Sequence, residues 1–275
     1  MPTEENLQYF QRHGNTALAH CIRCSAPQAG AHVVIVGGTH GNEPAGVTAM
    51  IEFHRSLVDG QLALKSGTVS LLLGNPEAYA RNVRYLERDL NRSFANPDDA
   101  TAEGRRARTI GRFLSSQPEI TFVLDLHSVS IGEFKIVVFN IEKPQNEALS
   151  RKLSPCDLHL AYHPAHLPGA LVDAAGSRAG LIIECGNHQS QAGRQTAREH
   201  LLRALSHFGV VSAGAETDFA PVARVTRYET IQAIVPRANF AFTIEDVSTG
   251  DFLEAGQRYA VDDHGAHMAP EDCYV

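Results

Sequence analysis

Short apolar runs that stop at glycine or histidine alternate along the chain with segments whose apolar residues recur at helical spacing. The run His32-Val-Val-Ile-Val-Gly37 is β-branched and uninterrupted, which predicts a strand buried on both faces of a mainly parallel sheet. Ser70-Leu-Leu-Leu-Gly74, Thr121-Phe-Val-Leu-Asp-Leu-His-Ser128 and Gly180-Leu-Ile-Ile-Glu-Cys-Gly-Asn-His188 read the same way. Val47 to Leu57, Ala102 to Leu114, Glu142 to Leu153 and Gln191 to Phe208 are expected as helices. Lys135 to Asn140 and Leu158 to Tyr162 add two strands, and Pro164 to Gly180 reads as a loop or short helix able to cover a cleft. Residues 1–30 carry no strong period and are expected to supply a strand or two at the sheet edge.

From about Ala215 the texture changes to alternating, β-branched stretches at Ala223 to Val235, Phe240 to Val247 and Gln257 to Val261. The expected organisation is therefore α/β, a mainly parallel sheet flanked by helices over residues 1–214, followed by a small β-rich domain over 215–275. Asp272-Cys-Tyr-Val275 looks like a strand beginning, so a natural continuation of the chain is expected.

Composition narrows the class. At 275 residues, 43% hydrophobic and 20% charged, the chain has the make-up of an ordinary globular protein able to bury a full core. Its net charge of −7 argues against nucleic acid as a partner, because such binding is driven by neutralising phosphates. No basic, apolar leader opens it and no apolar run reaches membrane-spanning length. Five irregularly spaced cysteines fit a reduced, cytoplasmic protein; Cys21 and Cys24, a lone Cys-x-x-Cys, read as ordinary thiols.

The chemistry gathers where the strands end. After the first strand, Gly-Gly-Thr-His-Gly-Asn-Glu-Pro places His40 and Glu43 three residues apart, an imidazole and a carboxylate suited to Zn²⁺. A glycine-rich turn with surface His and Glu is the plain alternative, and zinc needs at least one further ligand. His127, ending another strand, is the candidate third, since parallel strands bring their C-terminal ends to one edge of a sheet. Three protein ligands describe a catalytic rather than a structural zinc. Asn82 to Phe94 crowds Arg84, Arg88 and Arg92 with Glu87, Asp89, Asn82 and Asn91; guanidinium groups bind carboxylates bidentately and stabilise oxyanions. Glu184 interrupts an apolar strand, where an unpaired charge is costly, so it must be paired, ligated or used, for example as a general base.

In this order the motifs resemble the succinylglutamate desuccinylase and aspartoacylase family, relatives of the zinc carboxypeptidases. Gly37 to Glu43 is similar to the family's first zinc motif, Arg84 to Arg92 to its substrate-binding motif, Asp125-Leu-His-Ser128 to its third-ligand motif, and Ile183-Glu-Cys-Gly186 to the strand of its catalytic Glu. The resemblance implies one Zn²⁺ per chain on His40, Glu43 and His127, Glu184 as general base, Arg84 on the oxyanion, and Asn91 with Arg92 on a substrate carboxylate. Asp89 is then a candidate acceptor for the imidazole N–H of His40. It implies a deacylase hydrolysing the amide of a small N-acyl amino acid or amine, with no nucleic-acid or membrane partner; a homo-oligomer is left open. A metallocarboxypeptidase acting on peptides and a non-catalytic binding protein are the alternatives. One departure is that Leu171 to Ala175 lacks the arginine with which aspartoacylases anchor an acidic substrate, and Arg178 is out of register, which argues against acetylaspartate and succinylglutamate. His163, His166 and His188 are further candidates for specificity.

Overall fold

A computed structural model describes residues 3–130, 132–133, 135–154, 156, 158–212, 225–230, 241–243, 252–271 and 273–274. Its elements in chain order are α1 (Thr3–His13), β1 (Cys21–Ser25), β2 (His32–Gly37), α2 (Pro44–Val58), β3 (Thr68–Leu73), α3 (Pro76–Arg81), α4 (Ala102–Ser115), β4 (Ile120–Val129), β5 (Lys135–Asn140), α5 (Pro144–Leu153), β6 (Leu158–Tyr162), β7 (Ala179–Asn187), α6 (Gln191–His207) and β8 (Thr226–Glu229). Short 3₁₀ turns lie at Leu90–Arg92 and Leu171–Ala175.

The strands form one sheet in the order β1-β3-β2-β4-β7-β5-β6-β8. β2 sits between β3 and β4, parallel to both, and β4 is parallel to β7. The expected α/β architecture with a mainly parallel sheet is what forms. Two antiparallel joints interrupt it: β1 against β3 at one edge, and β5 against β7. The second joint has a consequence for function. β2, β3, β4 and β7 send their C-terminal ends to one edge, whereas β5 and β6, which run together, send theirs to the other.

Helices cover both faces because the strands are apolar on both. Along β2, Val33 and Ile35 pack into a core with Phe10, Phe53, Phe122 and Leu201, while Val34 and Val36 enter a second core with Ile110, Leu114 and Leu171. This is the alternation of a pleated strand used twice over.

Within residues 1–30 the expected edge strand forms as β1, and α1, which was not expected, precedes it. Glu4 and Glu5 in its first turn and Arg12 and His13 in its last complement the helix dipole, and it buries Asn6 and Phe10. Its apolar residues are few: Phe10 is buried, and Leu7 and Tyr9 pack partly buried against the same core. Cys21 and Cys24, three apart on β1, point to opposite faces and are free, as is Cys185.

The chain divides into two compact units, Met1–Ile231 and Gln232–Val275. β8, expected within a small domain beginning at 215, instead pairs with β6 of the large sheet. In the second unit, β9 (Ala241–Phe242), β10 (Phe252–Leu253), β11 (Arg258–Asp262), β12 (Gly265–Met268) and β13 (Cys273–Tyr274) form two small sheets, β12-β11-β9 and β10-β13. The expected strand signals at 231–235 and 244–247 lie outside the described residues.

Candidate active site

β2 ends at Gly37, and Gly38 follows with φ +68, a left-handed turn that any side chain would strain. The next residues, Thr39 to Glu43, run under α3: a Cβ on Gly41 would collide with the backbone of Ala78 and Tyr79. This close approach delivers the buried His40 and Glu43 side chains to the C-terminal edge of the sheet. β4 delivers His127 to the same edge, and His127 pairs in register with Glu184 of β7, so the two lie side by side.

The geometry brings His40, Glu43 and His127 together. Their ligand atoms all lie within 4.8 Å of one another. His40 Nδ1 is 2.8 Å from Glu43 Oε1 and 3.1 Å from His127 Nδ1, and His127 Nδ1 is 3.0 Å from Glu43 Oε2. Each ring's far nitrogen is held by a carboxylate: His40 Nε2 by Asp89 Oδ1 at 3.0 Å, His127 Nε2 by Asp125 Oδ2 at 2.9 Å. With both Nε2 protons donated outward, two Nδ1 lone pairs and a carboxylate converge, an arrangement that repels itself unless a cation lies between them. The donor set of two imidazoles and a carboxylate therefore fits a divalent metal.

Electrostatics follows the same layout. Burial alone would push Glu43 up, but positive charge and donated hydrogen bonds from the His127 and His40 rings, when these are protonated, outweigh it and hold this carboxylate well below its usual range. Burial likewise works against Asp89, and its hydrogen bond to His40, with Arg84 and Arg92 nearby, draws it down. Glu184 goes the other way: burial, supported by the negative charge of Glu43, raises it, and its Oε2 is buried without a hydrogen-bond partner. One carboxylate beside the cluster is thus committed and the other is left uncommitted.

The remaining expected residues arrive on the loop after α3. Arg84 is half-exposed and reaches Glu43 Oε1 and Asp89 Oδ2 at 3.4 Å each. Asp89 caps the 3₁₀ turn by accepting from Asn91 N–H, Asn91 Oδ1 accepts from Leu171 N–H at 2.8 Å, and Arg92 donates to Asn91 O. His188 is brought alongside, with Nδ1 2.9 Å from Ser128 Oγ. His163 and His166 are not; they face Glu142, Glu229 and the Thr230 carbonyl, beyond the C-terminal end of β6. Arg178 is committed to the carbonyls of Ala175 and Gln117.

Sequence reasoning missed the part played by Asp125. It is fully buried, receives Thr39 Oγ1 at 2.8 Å and orients His127. Its signal was present: in Asp125-Leu126-His127 the acid and the imidazole share one strand face.

The fold and site define an α/β protein with two histidines and a glutamate, able to hold a metal ion, at the C-terminal edge of its parallel strands. Residues 29–163, just under half of the chain, match the model of the succinylglutamate desuccinylase/aspartoacylase catalytic domain. Among curated proteins it resembles an N-acyl-aromatic-L-amino acid amidohydrolase (carboxylate-forming) of Xenopus tropicalis, 42% identical over 40% of this chain and 36% of that protein. It also resembles a probable aspartoacylase of Acaryochloris marina, 35% identical over 49% of this chain and 43% of that protein. The matched stretch thus spans less than half the length of either relative. The fold is shared with a succinylglutamate desuccinylase of Vibrio cholerae, with a TM-score of 0.69 at 19% identity over 89% of this chain and 75% of that one.

Proposed function

We propose that this chain is a zinc-dependent deacylase that hydrolyses the amide bond of a small N-acyl amino acid or amine. The observation that carries the reading is the unpartnered, buried Oε2 of Glu184 beside the converging donors of His40, Glu43 and His127. A binding protein has no use for an uncommitted base at that position.

His40, Glu43 and His127 would hold one zinc ion, which when bound supplies Lewis acidity towards water and the substrate carbonyl. Glu184 takes a proton from the attacking water and returns it to the leaving amine nitrogen, a task helped by burial that keeps its affinity for the proton high. Arg84, whose guanidinium reaches the cluster, stabilises the oxyanion as the carbonyl becomes tetrahedral. Arg92 and the Nδ2 of Asn91, whose Oδ1 is already taken by Leu171, anchor a substrate carboxylate and so fix the scissile bond. Asp89 and Asp125 orient the two imidazoles.

The tie of Arg178 to backbone carbonyls, and the lack of any arginine in Leu171 to Ala175, favour substrates other than acetylaspartate and succinylglutamate. The amphibian relative's name makes N-acyl aromatic amino acids the first class to try. Five irregularly spaced cysteines suit a reducing, cytoplasmic compartment, and among the described residues no helix is long and apolar enough to cross a membrane.

The test is hydrolysis of N-acetyl, N-formyl and N-succinyl amino acids and diamines, aromatic amino acids included, alongside blocked dipeptides, with and without a chelator. Chelator-sensitive release of one acyl group is the expected result. Release from the dipeptides alone would indicate a metallocarboxypeptidase, and silence across the panel by zinc-loaded protein would sink the deacylase reading.

A further inference from the structure

One buried carboxylate outside the assigned residues has an uncommon set of partners. Glu103, in the first turn of α4, is fully buried. Its oxygens accept from three successive backbone N–H groups, Leu86 at 2.7 Å, Glu87 at 3.2 Å and Arg88 at 3.3 Å, and from Asn75 Nδ2 at 3.1 Å. The contact is reciprocal, because Glu87 Oε2 accepts from Ala102 N–H. Asn75 extends it to the His40 loop: its own N–H donates to Gly38 O at 2.8 Å, and its Oδ1 caps α3 at Ala78 N–H. Glu103 is not needed to cap α4, since Thr101 Oγ1 already accepts from Gly104 N–H.

The segment so gripped lies between α3 and the 3₁₀ turn at Leu90, has no ladder of its own and carries Arg84. Both ion pairs of Arg84 are long, at 3.4 Å, and its side chain is half-exposed, so its own contacts hold it weakly. Its position depends on its backbone, pinned on one side by Gly41 N–H to Arg84 O at 3.0 Å and on the other by Glu103. Only a carboxylate offers enough lone pairs for three adjacent N–H donors and an amide.

We propose that Glu103 is a positioning residue that fixes the Leu86 to Arg88 backbone and thereby aims Arg84 at the reacting carbonyl. The proposal rests on the role given to Arg84 in the deacylase reading. Glu103→Gln keeps the size of the side chain but turns an NH₂ group towards backbone donors.

The experiment compares zinc-loaded wild type, Glu103→Gln, Arg84→Gln and the double variant on the best substrate of the panel. Glu103→Gln is expected to lower kcat by about 10- to 100-fold with little change in KM, the cost of a misaimed group. Metal content should be retained, and the double variant should be no slower than Arg84→Gln alone. Hydrogen exchange supplies a readout independent of turnover: the amides of Leu86, Glu87 and Arg88 should exchange at least about tenfold faster in Glu103→Gln. Losses that multiply in the double variant, loss of metal, or unchanged exchange would each overturn the proposal. If no acyl substrate is turned over, the deacylase reading fails and the exchange result alone decides whether Glu103 holds this loop. Should Glu103→Gln not fold, Glu103→Asp, which keeps the charge but shortens the reach, must show the same faster exchange.

Discussion

His127 and Glu184 stand side by side on adjacent strands, yet substituting them should have different consequences. His127→Ala removes one of three converging donors and should abolish metal retention and hydrolysis together, measured as zinc per chain and turnover. Glu184→Gln removes only the unpartnered base; kcat should fall by about 10²- to 10⁴-fold with zinc retained. Full activity in either variant, or loss of zinc in the second, would contradict these roles. Asp125→Asn takes the oriented acceptor from His127 Nε2, and zinc affinity measured by chelator competition should weaken by about 10- to 100-fold. At this scale much was legible: His40, Glu43, His127 and Glu184 announce themselves because polar groups at the ends of buried strands need a reason to be there. Glu103 was not, since a glutamate in the first turn of a helix is what the helix dipole favours anyway. Nothing in one dimension shows that its oxygens meet a loop fifteen residues earlier.

Among the elements, α2 and β2 bear most directly on the centre, because His40 and Glu43 lie between them. α2 buries Met50, Ile51 and Phe53 against one face of the sheet. Phe53→Ala should cost about 3–5 kcal/mol, the usual result of emptying a large aromatic site, and a urea titration would measure it. Gly41→Ala should reduce both stability and zinc retention, since its Cβ would push the His40 loop off the backbone of Ala78 and Tyr79. The helices and buried strands were readable from their apolar patterns. α1 was not, because its three core-facing apolar residues, Leu7, Tyr9 and Phe10, span a single turn among polar neighbours. Nor was the direction of β5, which reads as an apolar strand whether it runs parallel or antiparallel to β7; the pairing that decides it is tertiary.

Across the whole molecule, buried histidines set the response to acid. His200 of α6 is enclosed, with Nδ1 donating to Thr196 O and Nε2 facing Ser154 Oγ, and burial pushes it down to about 4. The buried His32 and His54 and the half-buried His20 are also lowered, desolvation being the main cause in each. A histidine whose folded pKa is depressed stays neutral in the native state while the unfolded chain takes up a proton. Its contribution is therefore complete above pH 6.5 and is lost as pH falls towards the folded value. For His200 the loss is about 3 kcal/mol between pH 6.5 and 4. Urea midpoints should fall across that window, and His200→Gln should flatten the fall; a stability independent of pH there would refute the assignment. The amino-acid sequence by itself determined the α/β class, the strand ends at which chemistry gathers, and His40, Glu43 and His127 as the side chains whose donor atoms converge, because burial pattern and residue chemistry are local properties. The tertiary structure decided the rest: that β5 reverses, that β8 joins the large sheet, that His163 and His166 face away from the site while His188 lies beside it, that Asp125 holds His127, and that Glu103 grips the Leu86 to Arg88 backbone. Each of these depends on which segments meet across long stretches of chain, which spacing along the chain does not encode.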